Sequence, residues 1–130
     1  MSEFHWPIRV YWEDTDAGGV VYYANYLKFL ERARSEWLRS LGFEQDEMAA
    51  RDGVLFVVRR VEADYLRPAR FNDMLSVSSR LIEVGRASLE MAQTIQRGAE
   101  RLLEARIRAA CVNATDFRPM RIPKHIYERF

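Results

Sequence analysis

The sequence predicts an α+β fold in which an antiparallel sheet wraps around one long helix. Three observations predict it. A single long amphipathic stretch, Asn25 to Leu41, has helical spacing. Four later segments alternate apolar and polar residues with period two, which marks strands with one buried face. The order is strand, long helix, then consecutive strands, which is a helix layer on a sheet layer. At 130 residues, 48% hydrophobic and 30% charged, the chain reads as one domain, residues 1–130, large enough for its own core.

Met1 to Pro7 reads as a lead-in, and Ile8 to Trp12, β-branched and aromatic, as a short strand. In the helical stretch, Tyr26, Leu30, Ala33, Trp37 and Leu41 fall on one face, widened by Leu27 and Leu38. Lys28, Glu31, Arg32, Ser35, Glu36 and Arg39 fall opposite, with Arg32 and Glu36 one turn apart and able to pair. Asn25 suits the N-cap and Gly42 the C′ position. Glu44 to Arg51 is a short second helix closed by Asp52-Gly53. Strands follow at Val54–Tyr65, Met74–Val84, Ala87–Gln96 and Arg101–Asn113. Gly85-Arg86 suits a type II′ hairpin turn. A last helical turn lies around Ile126. A sheet wrapped on one central helix is the hotdog arrangement. Its two open edges call for pairing, so a homodimer or a homotetramer is expected.

Composition narrows the partners. A net charge of +1 argues against broad binding to nucleic acid. Lys28 and Lys124 are the only lysines among 20 basic residues, and Arg suits bidentate phosphate contacts. One cysteine, Cys111, allows no disulfide framework within the chain, and its apolar strand position reads as core. His5 and His125 lie near opposite ends, so no histidine metal cluster is expected, and no metal or redox cofactor is implied. With neither a signal peptide nor a membrane-length apolar run, a cytoplasmic location is expected.

The stretch Asp14 to Tyr26 concentrates the chemistry. Two carboxylates, Asp14 and Asp16, precede the Gly18-Gly19 pair, which precedes a helix start. Glycines allow a tight turn and close ligand approach. A helix start offers unpaired N–H groups. A carboxylate and a cluster of main-chain donors are what hydrolysis of an activated acyl group needs. Spacing alone does not choose between Asp14 and Asp16.

The run from Arg9 to Leu27, the helix segment Lys28 to Leu38, and Tyr65-Leu66-Arg67-Pro68-Ala69-Arg70 with Asn72-Asp73 together resemble the 4-hydroxybenzoyl-CoA thioesterase family. The closest branch is that of the Tol–Pal-associated acyl-CoA thioesterases. The resemblance covers nearly the whole chain and implies a hotdog thioesterase. It implies that Asp16 is the catalytic carboxylate and that a backbone N–H near Tyr23 polarises the thioester carbonyl. Tyr23 stands where that branch usually carries His, so its role rests on the main chain, with the side chain a binding residue at most.

Gly19 and Asn25 join Tyr23 as substrate-binding candidates, Asn25 as a cap that also orients water. Arg86 and Ser88, on a hairpin able to reach a neighbouring subunit's site, are the best pair for CoA phosphates, ahead of Arg59, Arg60, Arg67 and Arg70. The expected activity is hydrolysis of acyl-CoA to free acid and CoA, with acyl carrier protein as a second thioester carrier. A non-catalytic acyl-CoA or acyl-carrier-protein binding module, or an envelope-associated adaptor, are the rival readings. A hotdog dehydratase needs a histidine in the motif and is set aside.

Overall fold

The computed structural model describes residues 3–130, and the order of elements follows the sequence closely. Strand β1 (Glu3–Arg9) leads to a 3-10 turn, Trp12–Asp14, and then to helix α1 (Asn25–Ser40). A short helix α2 (Gln45–Glu47) runs into a π-helical turn, Met48–Asp52. Strands β2 (Val54–Tyr65), β3 (Met74–Val84), β4 (Ser88–Arg97) and β5 (Glu100–Asn113) follow, and α3 (Lys124–Tyr127) comes near the end. All pairings are antiparallel in one five-stranded sheet of order β1-β3-β4-β5-β2. Helix α1 lies against one face, which is the hotdog arrangement expected.

The buried residues of α1 are Tyr26, Phe29, Leu30, Ala33, Trp37 and Leu38. Tyr26, Phe29, Leu30 and Ala33 meet Val10, Leu75, Val77, Ile95, Leu103 and Ile107 from the loop and sheet, while Trp37 and Leu38 pack on Leu81, Leu89, Met91 and Ala109. Phe29 and Leu30 are fully buried, and each such side chain contributes roughly 1.5–3 kcal/mol by leaving water. The stripe is rotated from the sequence reading: Leu27 is exposed and Phe29 takes its place. Arg32 does not pair with Glu36. Its guanidinium lies 6.0 Å from the centre of the Phe29 ring. Glu36 pairs instead with Arg39, which is also drawn to Glu44. Gly42 stops the helix as expected. Its φ is +94°, its N–H reaches the Arg39 carbonyl, and the Phe43 N–H reaches Leu38, the bond pair of a Schellman cap.

Strands β4 and β5 shift by one residue from the sequence reading, and three features differ more. The first strand is Glu3–Arg9, not Ile8–Trp12, so the supposed lead-in is strand from Glu3 onward; Met1 and Ser2 lie outside the described residues. Pro7 is admitted because β1 is an edge strand, with one side free of ladder bonds. The hairpin after β3 is not type II′. Gly85 bonds across to the Ser88 carbonyl (2.7 Å), so Arg86 and Ala87 form the turn, and none of the three has positive φ. The second helix breaks into α2 and the π turn, which Gly53 ends at φ +67°.

Candidate active site

The site begins in the loop between β1 and α1, which folds back on itself as a small hairpin. Thr15 bridges Val21, the Asp16 N–H donates to the Val20 carbonyl (2.9 Å), and the Gly19 N–H donates to the Asp16 carbonyl (3.0 Å). Gly19 has φ +79°, which only glycine adopts without strain, and a Cβ built there would meet nothing within 4 Å. The backbone at Gly19 is therefore open to a ligand. Val21 and Val20 tie the loop to Ala69 and Arg70, between β2 and β3.

The two aspartates have opposite surroundings. Asp14 is buried, its Oδ2 accepts the Tyr11 N–H (2.8 Å), and its carbonyl accepts the Tyr22 N–H (3.0 Å). That carboxylate is consumed in closing the 3-10 turn. Asp16 is exposed, and its Oδ1 accepts the Gly18 N–H (2.8 Å). A Cβ at Gly18 would come within 3.1 Å of that oxygen, so the glycine makes room for the carboxylate. Among the described residues Oδ2 of Asp16 has no hydrogen-bond partner.

Asn25 is not the N-cap. The cap position is Ala24, and the Asn25 side chain donates from Nδ2 to the Asp14 carbonyl (2.9 Å). The helix start reaches back to the loop rather than closing on itself, because Asp14 offers a fixed acceptor there. Among the described residues the N–H groups of Tyr23 and Ala24 have no acceptor. Tyr22 and Tyr23 are exposed, with ring centres 4.8 Å apart. The neighbouring Tyr23 hydroxyl holds the Tyr22 phenol above its usual pKa, and the Asp16 charge adds to this. Tyr26 and Trp37 are packing residues, as expected; Tyr26 is buried and its hydroxyl accepts the Ala69 N–H (2.9 Å). Tyr65, the end of the second strand and not a site candidate from the sequence, donates its hydroxyl to the Tyr23 carbonyl (3.0 Å).

Arg86 and Ser88 are not near Asp16 within one chain. They lie at the far end of β3, whose 11 residues span about 35 Å. Arg86 lines a groove of about 680 Å³ with Arg121, Lys124 and Tyr127, while Ser88 lies apart, beside Glu83 and Arg108. Arg121 and Lys124 escaped the sequence reading because they lie far along the chain from Arg86; the Ile122 N–H to Arg86 carbonyl bond (2.8 Å) brings them together. Arg60 and Arg67 are engaged with Glu62 (2.9 Å) and Glu100 (3.5 Å). Cys111 is core, and burial pushes its thiol up to about 11, so it stays protonated.

Residues 10–130 match the family described as the thioesterase-like superfamily. The chain belongs to this superfamily. It is 44% identical over 128 residues to the acyl-CoA thioester hydrolase YbgC of Escherichia coli O6:H1, covering 98% of this chain and 95% of the relative. It is 41% identical to the acyl-CoA thioesterase YbgC of Haemophilus influenzae, covering 98% and 93%. A solved probable thioesterase from Bartonella henselae superposes with a TM-score of 0.90 at 38% identity, over 94% of this chain and all of that one. The resemblance read from the motif thus extends along the thioesterase chain as a whole.

Proposed function

We propose that the protein hydrolyses acyl-CoA thioesters to the free acid and CoA, as one catalytic domain with Asp16 as its reacting carboxylate. The observation that carries the reading is the pairing of an exposed carboxylate, steered by the Gly18 N–H, with a helix entrance whose Tyr23 N–H is unclaimed. Membership of the superfamily supports it.

The thioester carbonyl oxygen is taken to face the Tyr23 N–H, and its carbon to face Oδ2 of Asp16. By one route Oδ2 takes a proton from water as the water oxygen bonds to the carbonyl carbon. By the other Oδ2 itself bonds to that carbon. In both, the C–S bond breaks and the CoA thiolate leaves; in the second, water then cleaves the mixed anhydride. Main-chain donors serve here because they are fixed before charge develops. Gly19 lets the substrate approach the backbone, and Asn25 holds the loop to the helix rather than touching water.

We place the CoA phosphates in the Arg86, Arg121 and Lys124 groove of a neighbouring subunit, because one chain keeps that groove far from Asp16. Strand β2 is the edge for pairing: it has 12 residues, no proline, and exposed Val58 and Val61. A homodimer through β2 follows, with a homotetramer as its higher assembly. We also place the enzyme in the cytoplasm, in keeping with a buried free thiol; no helix among the described residues is long and apolar enough to cross a membrane.

The test is release of free thiol from a panel of short, long and aromatic acyl-CoA esters, with Asp16→Asn alongside. Turnover by the native protein and its loss in the variant are expected. Binding of the esters without thiol release defeats the reading. Single turnovers in ¹⁸O-water separate the routes, since label entering the Asp16 carboxylate requires the anhydride.

A further inference from the structure

Tyr65 belongs to the last position of β2, 42 residues from Tyr23, yet its hydroxyl donates to the Tyr23 carbonyl at 3.0 Å. That carbonyl is the one the helix leaves out. In a regular α-helix it would accept the Leu27 N–H, but Leu27 donates to Ala24 instead (3.2 Å). The preceding carbonyl, of Tyr22, accepts the Asn25 N–H (2.8 Å). Peptide units are planar, so holding a carbonyl also sets the direction of the N–H across the same bond. The Asn25 bond therefore aims the Tyr23 N–H, and the Tyr65 bond aims the Ala24 N–H. Among the described residues neither of these two successive N–H groups has an acceptor. The Tyr65 ring is itself held, edge-on to Tyr26 at 5.5 Å and to Tyr23 at 6.5 Å. Burial first, and then the charge of Tyr23, keep its phenol above the usual range, so the proton it donates is retained at neutral pH.

We infer that Tyr65 is a positioning residue for thioester hydrolysis: its hydroxyl locks the Tyr23–Ala24 peptide so that successive main-chain N–H groups converge on the oxyanion. The inference rests on the proposed hydrolysis at Asp16. It extends that reading by giving the oxyanion a second donor, Ala24, and a support from the sheet. Without the hydroxyl the carbonyl is free to rotate toward Leu27 or water, and the Ala24 N–H turns with it.

The test compares native protein, Tyr65→Phe and Asp16→Asn on one acyl-CoA that the native protein hydrolyses. Tyr65 is 46% exposed, so removing its hydroxyl leaves the fold intact. Tyr65→Phe is expected to lower kcat roughly tenfold, the kinetic equivalent of one hydrogen bond, with KM within about twofold. Its melting midpoint is expected to stay within a few degrees of native. In the Asp16→Asn background, the infrared carbonyl band of a bound ¹³C-labelled thioester should shift less from its solution value when Tyr65→Phe is added. Native kcat in Tyr65→Phe, a loss confined to KM, or an unchanged carbonyl band overturns the inference. If Asp16→Asn is slow while Tyr65→Phe is native, only this inference fails. If Asp16→Asn keeps native turnover, the hydrolysis reading itself fails.

Discussion

At one end of the sheet, Asp16, Tyr22, Tyr23 and Tyr65 gather around the entrance of α1; at the other, Arg86, Arg121 and Lys124 line an open groove. The first end offers one free carboxylate oxygen and main-chain donors, which is equipment for bond making. The second offers guanidinium and ammonium groups, which is equipment for holding phosphate. Strand β3 keeps the two apart in a single chain. The difference separates what should alter turnover from what should alter binding, and it explains why the proposed site draws on two subunits.

The sharpest way to break that division is Asp16→Asn. It should lower kcat by about 10²–10⁴, the range for a removed general base, with little change in KM. Steady-state kinetics on a good acyl-CoA substrate decides it, and an equal rise in KM would move Asp16 to the binding end. The converse comes from Arg86→Ala combined with Arg121→Ala. Two lost charged contacts should raise KM at least about tenfold and leave kcat near native. The effect should shrink for a pantetheine thioester, which lacks the nucleotide phosphates, and its persistence there would remove the groove from the proposal.

A third variant tests the two aspartates against each other. Asp14→Ala strips the acceptor from the part-buried Tyr11 N–H bond and should cost about 1 kcal/mol, read as a lower denaturation midpoint. Asp16→Asn should leave that midpoint nearly unchanged, since the exposed side chain contributes one local bond.

The smallest effect concerns acid. Partial burial pushes the Asp73 carboxyl up, but the Arg70 N–H and the Arg97 guanidinium outweigh it and leave it below its ordinary value. A depressed carboxyl stabilises the fold fully above its unfolded pKa, about 3.9, and loses that contribution as pH falls through the lower folded value. Asp73→Asn should therefore weaken the fold slightly near neutrality and converge with native protein below about pH 3. Melting curves across that range check it. Asp73 ties β3 to Arg97 of β4 (2.6 Å) beside the Ala69–Arg70 segment that anchors the Asp16 loop.

Local patterns carried most of the fold. Period-two alternation in β3 to β5, the helical stripe of α1 and the Gly42 stop all act over a few residues, so linear order displays them, whereas β2, at the sheet edge, leaves Val58 and Val61 exposed. Pro7 misled the reading of β1 because its tolerance depends on which strand lies at the edge, a property of the assembled sheet. Leu27 and Phe29 exchanged places because they lie on opposite flanks of the stripe, and which flank is covered depends on how the sheet meets the helix.

The chain's own order determined the hotdog class, the carboxylate–glycine–helix arrangement and the family it belongs to. Tertiary structure alone decided which carboxylate is spent: the Asp14 carboxylate is claimed by the Tyr11 N–H, with Tyr22 and Asn25 on its main-chain carbonyl, while among the described residues Asp16 keeps one carboxylate oxygen unclaimed. It also joined Tyr65 to Tyr23 and Arg86 to Arg121. The physical reason is common to these cases. A hydrogen bond or a shared groove depends on where backbones end up in space, and linear order carries no mark of which residues have met.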